Sequence, residues 1–408
     1  MSSCAPVPAP RTGDTVPSPW THVAQVAAAL AAGMGVGRFV YTPILPLMHA
    51  RAGLSTGAGA HLATANYVGY FLGALAGTLL PALVRSRAVF RGALVLLIGT
   101  LAAMPVTRTT EVWIALRLLA GVASALIFVV AVTSALGHLR NHPPHLPGWA
   151  FGGVGAGIAL SGLLVLALRS VADWQVAWWS SAVLATALAA AAWKLRPEAP
   201  ASPSTGAPET AVDPWFGALF VSYTLEGVGY IVAGTFLVAA IGQSSPGWIG
   251  NGAWVLVGLA AVPSAALWAR LGRRWSWPGL LCVALVVQAV GIALPALVGG
   301  VAAALVSAVL FGGTFIGIST LALAAGAQLQ FPRSVALLTA GYSVGQILGP
   351  LAVAPLLHHG YRPALLLAAG VVLAAAVASA VLRLGSPRRR AVALRHSAPA
   401  QEIPAAGP

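Results

Sequence analysis

Arg38 and Glu226 each stand near the middle of an apolar stretch long enough to cross a bilayer. An arginine at a helix centre costs about 2.5–3.5 kcal/mol on insertion scales, so it faces a bundle interior or a watery cavity and pairs with something there. A buried guanidinium is a receptor for a carboxylate or another anion. A lone carboxylate at that depth carries a proton or answers a positive charge, because desolvation and a neighbouring arginine act on it in opposite senses. The other seven carboxylates, Asp14, Glu111, Asp173, Glu198, Glu209, Asp213 and Glu402, fall in tails, loops or span ends.

Helical spacing gives both residues company. Met34, Arg38, Tyr41 and Thr42 share one face, and Ser222, Glu226 and Tyr230 another. Asn66 and Tyr70 are one turn apart in the second span, as are Tyr342 and Gln346 in the eleventh. These amides and phenols are candidate walls of a polar pocket, with Arg38 and Glu226 as partners or as opposite sides of it.

The chain that positions them is 58% hydrophobic and 7% charged over 408 residues, where a soluble domain carries about 25% charged residues. Roughly 20 apolar residues make a helical span, and twelve such stretches can be cut. They are Trp20 to Met48, His61 to Val84, Val89 to Val106, Val112 to Leu136, Gly148 to Leu168 and Trp174 to Leu195, then Trp215 to Ile241, Trp248 to Leu271, Gly279 to Leu297, Val301 to Leu329, Val335 to Leu357 and Pro363 to Leu384. The expected fold is an all-α polytopic membrane protein. Its expected units are an N-terminal tail over 1–19, a six-helix bundle over 20–195, a proline-rich linker over 196–214, a second bundle over 215–384 and a basic tail over 385–408. The tails and linker cannot bury a core.

The net charge of +14 follows the loops. With both termini cytoplasmic, sixteen of the 22 Lys and Arg lie inside, and only Arg51, Arg108, Arg169 and Arg362 lie outside; Arg38 and Arg117 fall within spans. That is the asymmetry of a multi-pass protein with an even number of spans. Arg388, Arg389 and Arg390 then meet lipid headgroups rather than nucleic acid. Cys4 and Cys282 supply no disulfide framework or metal knuckle, and His138, His142 and His145 lack an accompanying carboxylate or cysteine in their loop. No metal or other cofactor is expected.

The halves echo each other. Gly35-Val36-Gly37 recurs as Gly227-Val228-Gly229, and Gly121 has a counterpart in Gly313 at the same offset. Gly153, Gly157, Ser161 and Gly162 match Gly341, Gly345, Gly349 and Pro350. Small residues four apart, including Gly69, Gly73 and Gly77, mark faces where membrane helices approach closely. Gly69, Gly73, Gly77, Gly157, Gly341, Gly345, Gly349 and Pro350 are the candidates for helix packing and gating.

With those residues in view, the chain resembles the major facilitator superfamily, and more closely its YbfB/YjiJ-type branch. The resemblance rests on residues 35–48, Gly-Val-Gly-Arg-Phe-Val-Tyr-Thr-Pro-Ile-Leu-Pro-Leu-Met, and on Ala65-Asn66-Tyr67-Val68-Gly69-Tyr70. Arg117, Gly121 and Ala125 look like the fourth-helix motif whose arginine is linked to coupling in proton antiporters of that superfamily. Arg270, Gly272, Arg273 and Arg274 look like the end of its cytoplasmic loop motif; the first-half copy keeps Gly77, Arg85 and Arg87 without an aspartate between. The resemblance implies two pseudo-symmetric six-helix bundles rocking about a midplane site.

The reading is a secondary transporter in the bacterial inner membrane, a monomer that moves a small organic solute by alternating access and couples it to protons. Its substrate and coupling residues are Arg38, Tyr41, Asn66, Tyr70, Arg117, Glu226, Tyr230, Tyr342 and Gln346. The rival transport reading is export of lipophilic cations drawn to Glu226 and stacked on Tyr41, Tyr70 and Tyr230. A non-transporting receptor is a third. An intramembrane enzyme needs clustered carboxylates or a nucleophile with its base, and one mid-span carboxylate does not supply them. No Gly-x-x-x-x-Gly-Lys loop occurs for nucleotide.

Overall fold

The computed structural model describes residues 19–139, 142, 146–170, 173–197, 214–245, 247–329 and 334–384. The tails over 1–19 and 385–408 and the linker over 196–214 fall outside these, apart from their edge residues, as do Arg388, Arg389 and Arg390. The described chain is helical throughout, with no strand among the described residues.

Twelve long helices follow one another: α1 (Pro19–Arg51), α2 (Thr56–Leu79), α3 (Arg87–Ala103), α4 (Thr110–His138), α5 (Leu146–Leu168), α6 (Trp174–Ala192), α7 (Pro214–Ser244), α8 (Gly247–Leu271), α9 (Trp277–Leu297), α10 (Gly300–Gln328), α11 (Ser334–Val353) and α12 (Tyr361–Leu384). Eleven are both long and apolar enough to cross a membrane. The other, α2, has the length at 24 residues, but His61, Thr64, Asn66, Tyr67 and Tyr70 dilute its apolar character. It also ends earlier than its hydropathy implies, because Leu80 precedes Pro81 and leaves the helical region (ψ 76°), as the proline ring demands of its neighbour. A short helix, Pro81–Arg85, completes the turn into α3.

Helix contacts divide the chain into two matched sets of six. In the first, α2 packs on α4, α1 on α5, and α3 on α4 and α6; in the second, α8 packs on α10, α7 on α11, and α9 on α10 and α12. The sets meet along α1–α7, α2–α11 and α5–α8.

The glycines lie at these crossings. Gly69 and Gly73 rest on the backbone of Leu118 and Val122 in α4, while Gly77 has a looser fit beside Val84 and Val129. Gly157 rests on Ala31 and Gly35 of α1, and Gly341, Gly345 and Gly349 rest on α7 from Phe220 to Val232; Pro350 continues that run inside α11. Except at Gly77, a side chain at these glycines would hold the helices apart, so close approach of the helices sets the packing. One pairing in the repeat shifts by a residue. Gly121 sits on Asn66 of α2, and its counterpart on Val257 of α8 is Gly312, whereas Gly313 has open space where a side chain would be. The Gly313 carbonyl instead accepts hydrogen bonds from Ser264 Oγ and Trp268 Nε1, both 2.8 Å.

Arg270, Gly272, Arg273 and Arg274 form the exposed turn from α8 to α9. Tryptophans near helix ends, among them Trp20, Trp193, Trp248 and Trp275, are exposed, the placement expected of amphipathic rings at a membrane–water boundary.

Candidate functional site

The site begins with a fault in α1. Residues 31–36 form a widened turn in which Gly37 N–H donates to Ala32 O (2.8 Å) and Phe39 N–H to Met34 O (3.2 Å), one residue further back than an α-helix allows. Pro43 has no N–H to give, so the Phe39 carbonyl accepts from Thr42 N at 3.2 Å. The ladder is thus broken at Gly37 and Arg38, whose carbonyls need other donors in a dry interior.

Arg117 of α4 supplies them. Its Nη1 donates to Gly37 O and its Nη2 to Arg38 O, each at 3.1 Å, from a side chain 2% exposed. The planar fork of a guanidinium spans two neighbouring carbonyls, which a lysine ammonium does not. Asn66 Nδ2 donates to Arg117 O (2.9 Å), Tyr41 lies 5.2 Å from the Arg117 guanidinium, and Tyr41 OH donates to Gly59 O (2.9 Å). Asn66, Arg117 and Tyr41 therefore form a lock within the first half that holds the faulted turn, rather than the Arg38 cluster itself. Arg117→Lys should lower unfolding stability by about 2–4 kcal/mol, the cost of two poorly paired buried carbonyls. Denaturant titration in mixed micelles measures it, and an unchanged midpoint would remove Arg117 from that role.

The faulted turn aims Arg38 across the boundary between the halves. Its side chain is 3% exposed, and Nη2 donates to Gln346 Oε1 of α11 at 2.5 Å, while Gln346 Nε2 donates to Tyr230 OH of α7 at 2.8 Å. The guanidinium lies over three rings, 4.3 Å from Tyr70, 4.8 Å from Tyr67 and 5.5 Å from Phe39. Tyr67 OH donates to Thr235 Oγ1 (2.7 Å), whose own proton goes to Ile231 O, and Thr42 Oγ1 donates to Gly234 O (2.5 Å). Arg38, Thr42 and Tyr67 thus tie the first half to α7 and α11 of the second.

Glu226 is fully buried in α7, and among the described residues no ion pair joins it to Arg38. Neither carboxylate oxygen has a hydrogen-bond partner; Gln288 of α9 faces it, but no bond of ordinary geometry closes between them, and both polar atoms of Gln288 are also unpartnered. Tyr223 and Tyr230, three residues before Glu226 and four after, share its face, and Tyr342 stacks on both at 4.4 and 5.4 Å between ring centroids. Ser222 turns away and donates to Ala375 O of α12.

Beyond the Arg38 layer, a cavity of about 770 Å³ opens where α1, α2, α7, α8 and α12 meet at their ends, lined among others by His49, Arg169, Gln243, Asn251 and Tyr361. Its walls reach Pro43 and Val238, next to the Thr42–Gly234 contact. His49 Nδ1 donates to Leu54 O (2.5 Å), so Nε2 accepts from Tyr361 OH (3.1 Å), another bond between the halves.

The structure adds Phe39, Tyr67, Tyr223, Gln288, Phe315 and Thr235 to the residues singled out by sequence. Tyr67 was visible as the residue three before Tyr70, and Gln288 as the lone amide of an apolar span. The rings were indistinguishable from lipid-facing aromatics.

Two matched sets of six helices meet over a buried arginine, with a buried carboxylate inside the second set, the arrangement of a major facilitator transporter. The family model described as "Uncharacterised MFS-type transporter YbfB" matches residues 30–380, and the chain belongs to that family. The nucleoside transporter NupG has a similar structure: a point mutant of it superimposes with a TM-score of 0.66 at 15% identity, covering 89% of this chain and 99% of that one. For NupG without the mutation the TM-score is 0.63 at 15% identity, with 89% and 98% covered. At such identity the likeness is one of fold. No curated protein matches the sequence. The protein is a multi-pass membrane transporter and not an enzyme.

Proposed function

We propose that the protein moves a small organic anion across the bacterial inner membrane together with a proton, as a monomer, by alternating access. Both termini lie in the cytoplasm in this reading, which follows from the placement of Arg and Lys. The boundary between the halves is then closed at mid-depth by Arg38–Gln346, Thr42–Gly234 and Tyr67–Thr235, with His49–Tyr361 bridging it nearer the outer face beside the cavity. The two halves of residues 20–195 and 215–384 are the rocking bodies, with the glycine crossings α2–α4, α1–α5 and α7–α11 as rigid contacts inside each.

The observation that carries the reading is the Arg38 guanidinium: buried, without a carboxylate among the described residues, and bonded across the boundary to a neutral amide. A carboxylate on the solute is a stronger acceptor for it than Gln346 Oε1, so the solute replaces the contact that must break for the halves to part. Glu226, buried without a partner, is the proton site. An anion at Arg38 is disfavoured by a bare carboxylate one helical turn from Tyr230 and favoured by a protonated one, so solute and proton travel together.

Counterflow in proteoliposomes tests carrier against receptor. Vesicles loaded with unlabelled solute should transiently accumulate the labelled solute above equilibrium, while a receptor gives no overshoot. The aromatic surround of Glu226 favours one second reading, export of lipophilic cations by cation–π contact. Uptake of tetraphenylphosphonium by everted vesicles, insensitive to Arg38→Ala, would replace the first reading with it.

A further inference from the structure

Five rings of the second half stand in one file. Tyr223 and Tyr342 lie 4.4 Å apart at an interplanar angle of 16°, Tyr342 and Tyr230 5.4 Å at 12°, Tyr230 and Phe315 5.9 Å at 6°, and Phe315 and Phe311 5.9 Å at 15°. They come from α7, α10 and α11, so no single helix's periodicity produces the alignment. The first half meets the file with Phe39, whose ring stands edge-on to Phe315 at 6.1 Å and 71°. Beside it Arg38 lies over Tyr67 and Tyr70.

Resting on the reading of Arg38 as the anion site, we propose that the solute is a planar aromatic monoanion of the benzoate class. When the halves part, the contacts that separate around Arg38 include the Arg38–Gln346 bond and the Phe39–Phe315 ring contact. A solute that fills the gap must offer an anionic acceptor to Arg38 and an aromatic ring to Phe315 in place of Phe39. An aliphatic carboxylate meets the first demand and sets saturated carbon against the file, losing the edge-to-face or offset-stacked geometry that aromatic pairs prefer. A sugar or polyol finds Tyr230 OH already bonded to Gln346 and Tyr67 OH to Thr235, so its hydroxyls meet groups whose bonds are taken, between ring surfaces. An aromatic amine puts its charge beside Arg38.

The test is binding to the purified full-length protein by calorimetry, with sodium benzoate, sodium cyclohexanecarboxylate and benzylammonium chloride as probes. The two acids match in charge and nearly in apolar area, so their ratio isolates the ring. Benzoate should bind about 5- to 10-fold more tightly than cyclohexanecarboxylate, and benzylammonium should not bind. Phe315→Leu should bring the two acids within about 2-fold of each other while both still bind; the wild-type ratio decides the matter alone if that variant does not fold. Equal affinities for the two acids overturn the aromatic inference and leave Arg38 as an anion site. Binding of benzylammonium but neither acid overturns both, and binding of none of the three overturns the benzoate class.

Discussion

Arg38→Ala should weaken binding of an anionic solute by about 30-fold or more, while the protein still folds. Losing one side of a buried hydrogen-bonded charge pair costs about 2–5 kcal/mol, and each 1.4 kcal/mol is tenfold in affinity. The scaffold survives because the faulted turn is held through the backbone carbonyls of Gly37 and Arg38 by Arg117, which the substitution leaves in place. Arg38→Lys keeps the charge and loses the fork, so an intermediate loss of about tenfold is expected. The readout is thermal stabilisation, since a ligand that prefers the folded state raises the melting temperature. Wild type should be stabilised by carboxylates and Arg38→Ala should not. Equal stabilisation of both would make Arg38 a structural residue of the boundary.

Glu226→Gln should abolish accumulation driven by a pH gradient and leave counterflow intact. Glutamine has the shape of the protonated acid and cannot release a proton, so the carrier is fixed in the state that accepts the anion. Each proton carried per solute supports roughly tenfold accumulation per pH unit of gradient, and that factor should fall to one in the variant. Retained counterflow shows that the halves still rock with solute aboard. Undiminished gradient-driven accumulation would remove Glu226 from coupling, whatever else binds the solute.

Much of this was legible in the chain before its structure. Eleven of the twelve long helices followed from hydropathy, and the paired halves followed from glycines at repeated offsets, because a close helix crossing tolerates no side chain and so fixes residue identity. Arg38 and Glu226 stood out because charge is rare in lipid. Their relation did not. The spacing put Arg38, Tyr41 and Thr42 on one face, but the widened turn at 31–36 and the missing N–H of Pro43 send Tyr41 to Gly59 in the first half and Thr42 to Gly234 in the second. Nor does an ideal helix reveal that Arg117 answers broken backbone bonds; its type and depth were those of a site residue. The ring file needed three helices in register, which no single stretch records.

The most direct measurement is the affinity of the solute chosen by the binding panel across pH, in wild type and in Glu226→Gln. Linkage requires that if the solute favours protonated Glu226, protonation favours the solute by the same factor. Wild-type affinity should therefore fall as pH rises, by up to about tenfold per pH unit for one linked proton, and the variant should be flat over the same range. An identical slope in both, or a wild-type affinity that rises with pH, would contradict a shared path for anion and proton through Arg38 and Glu226.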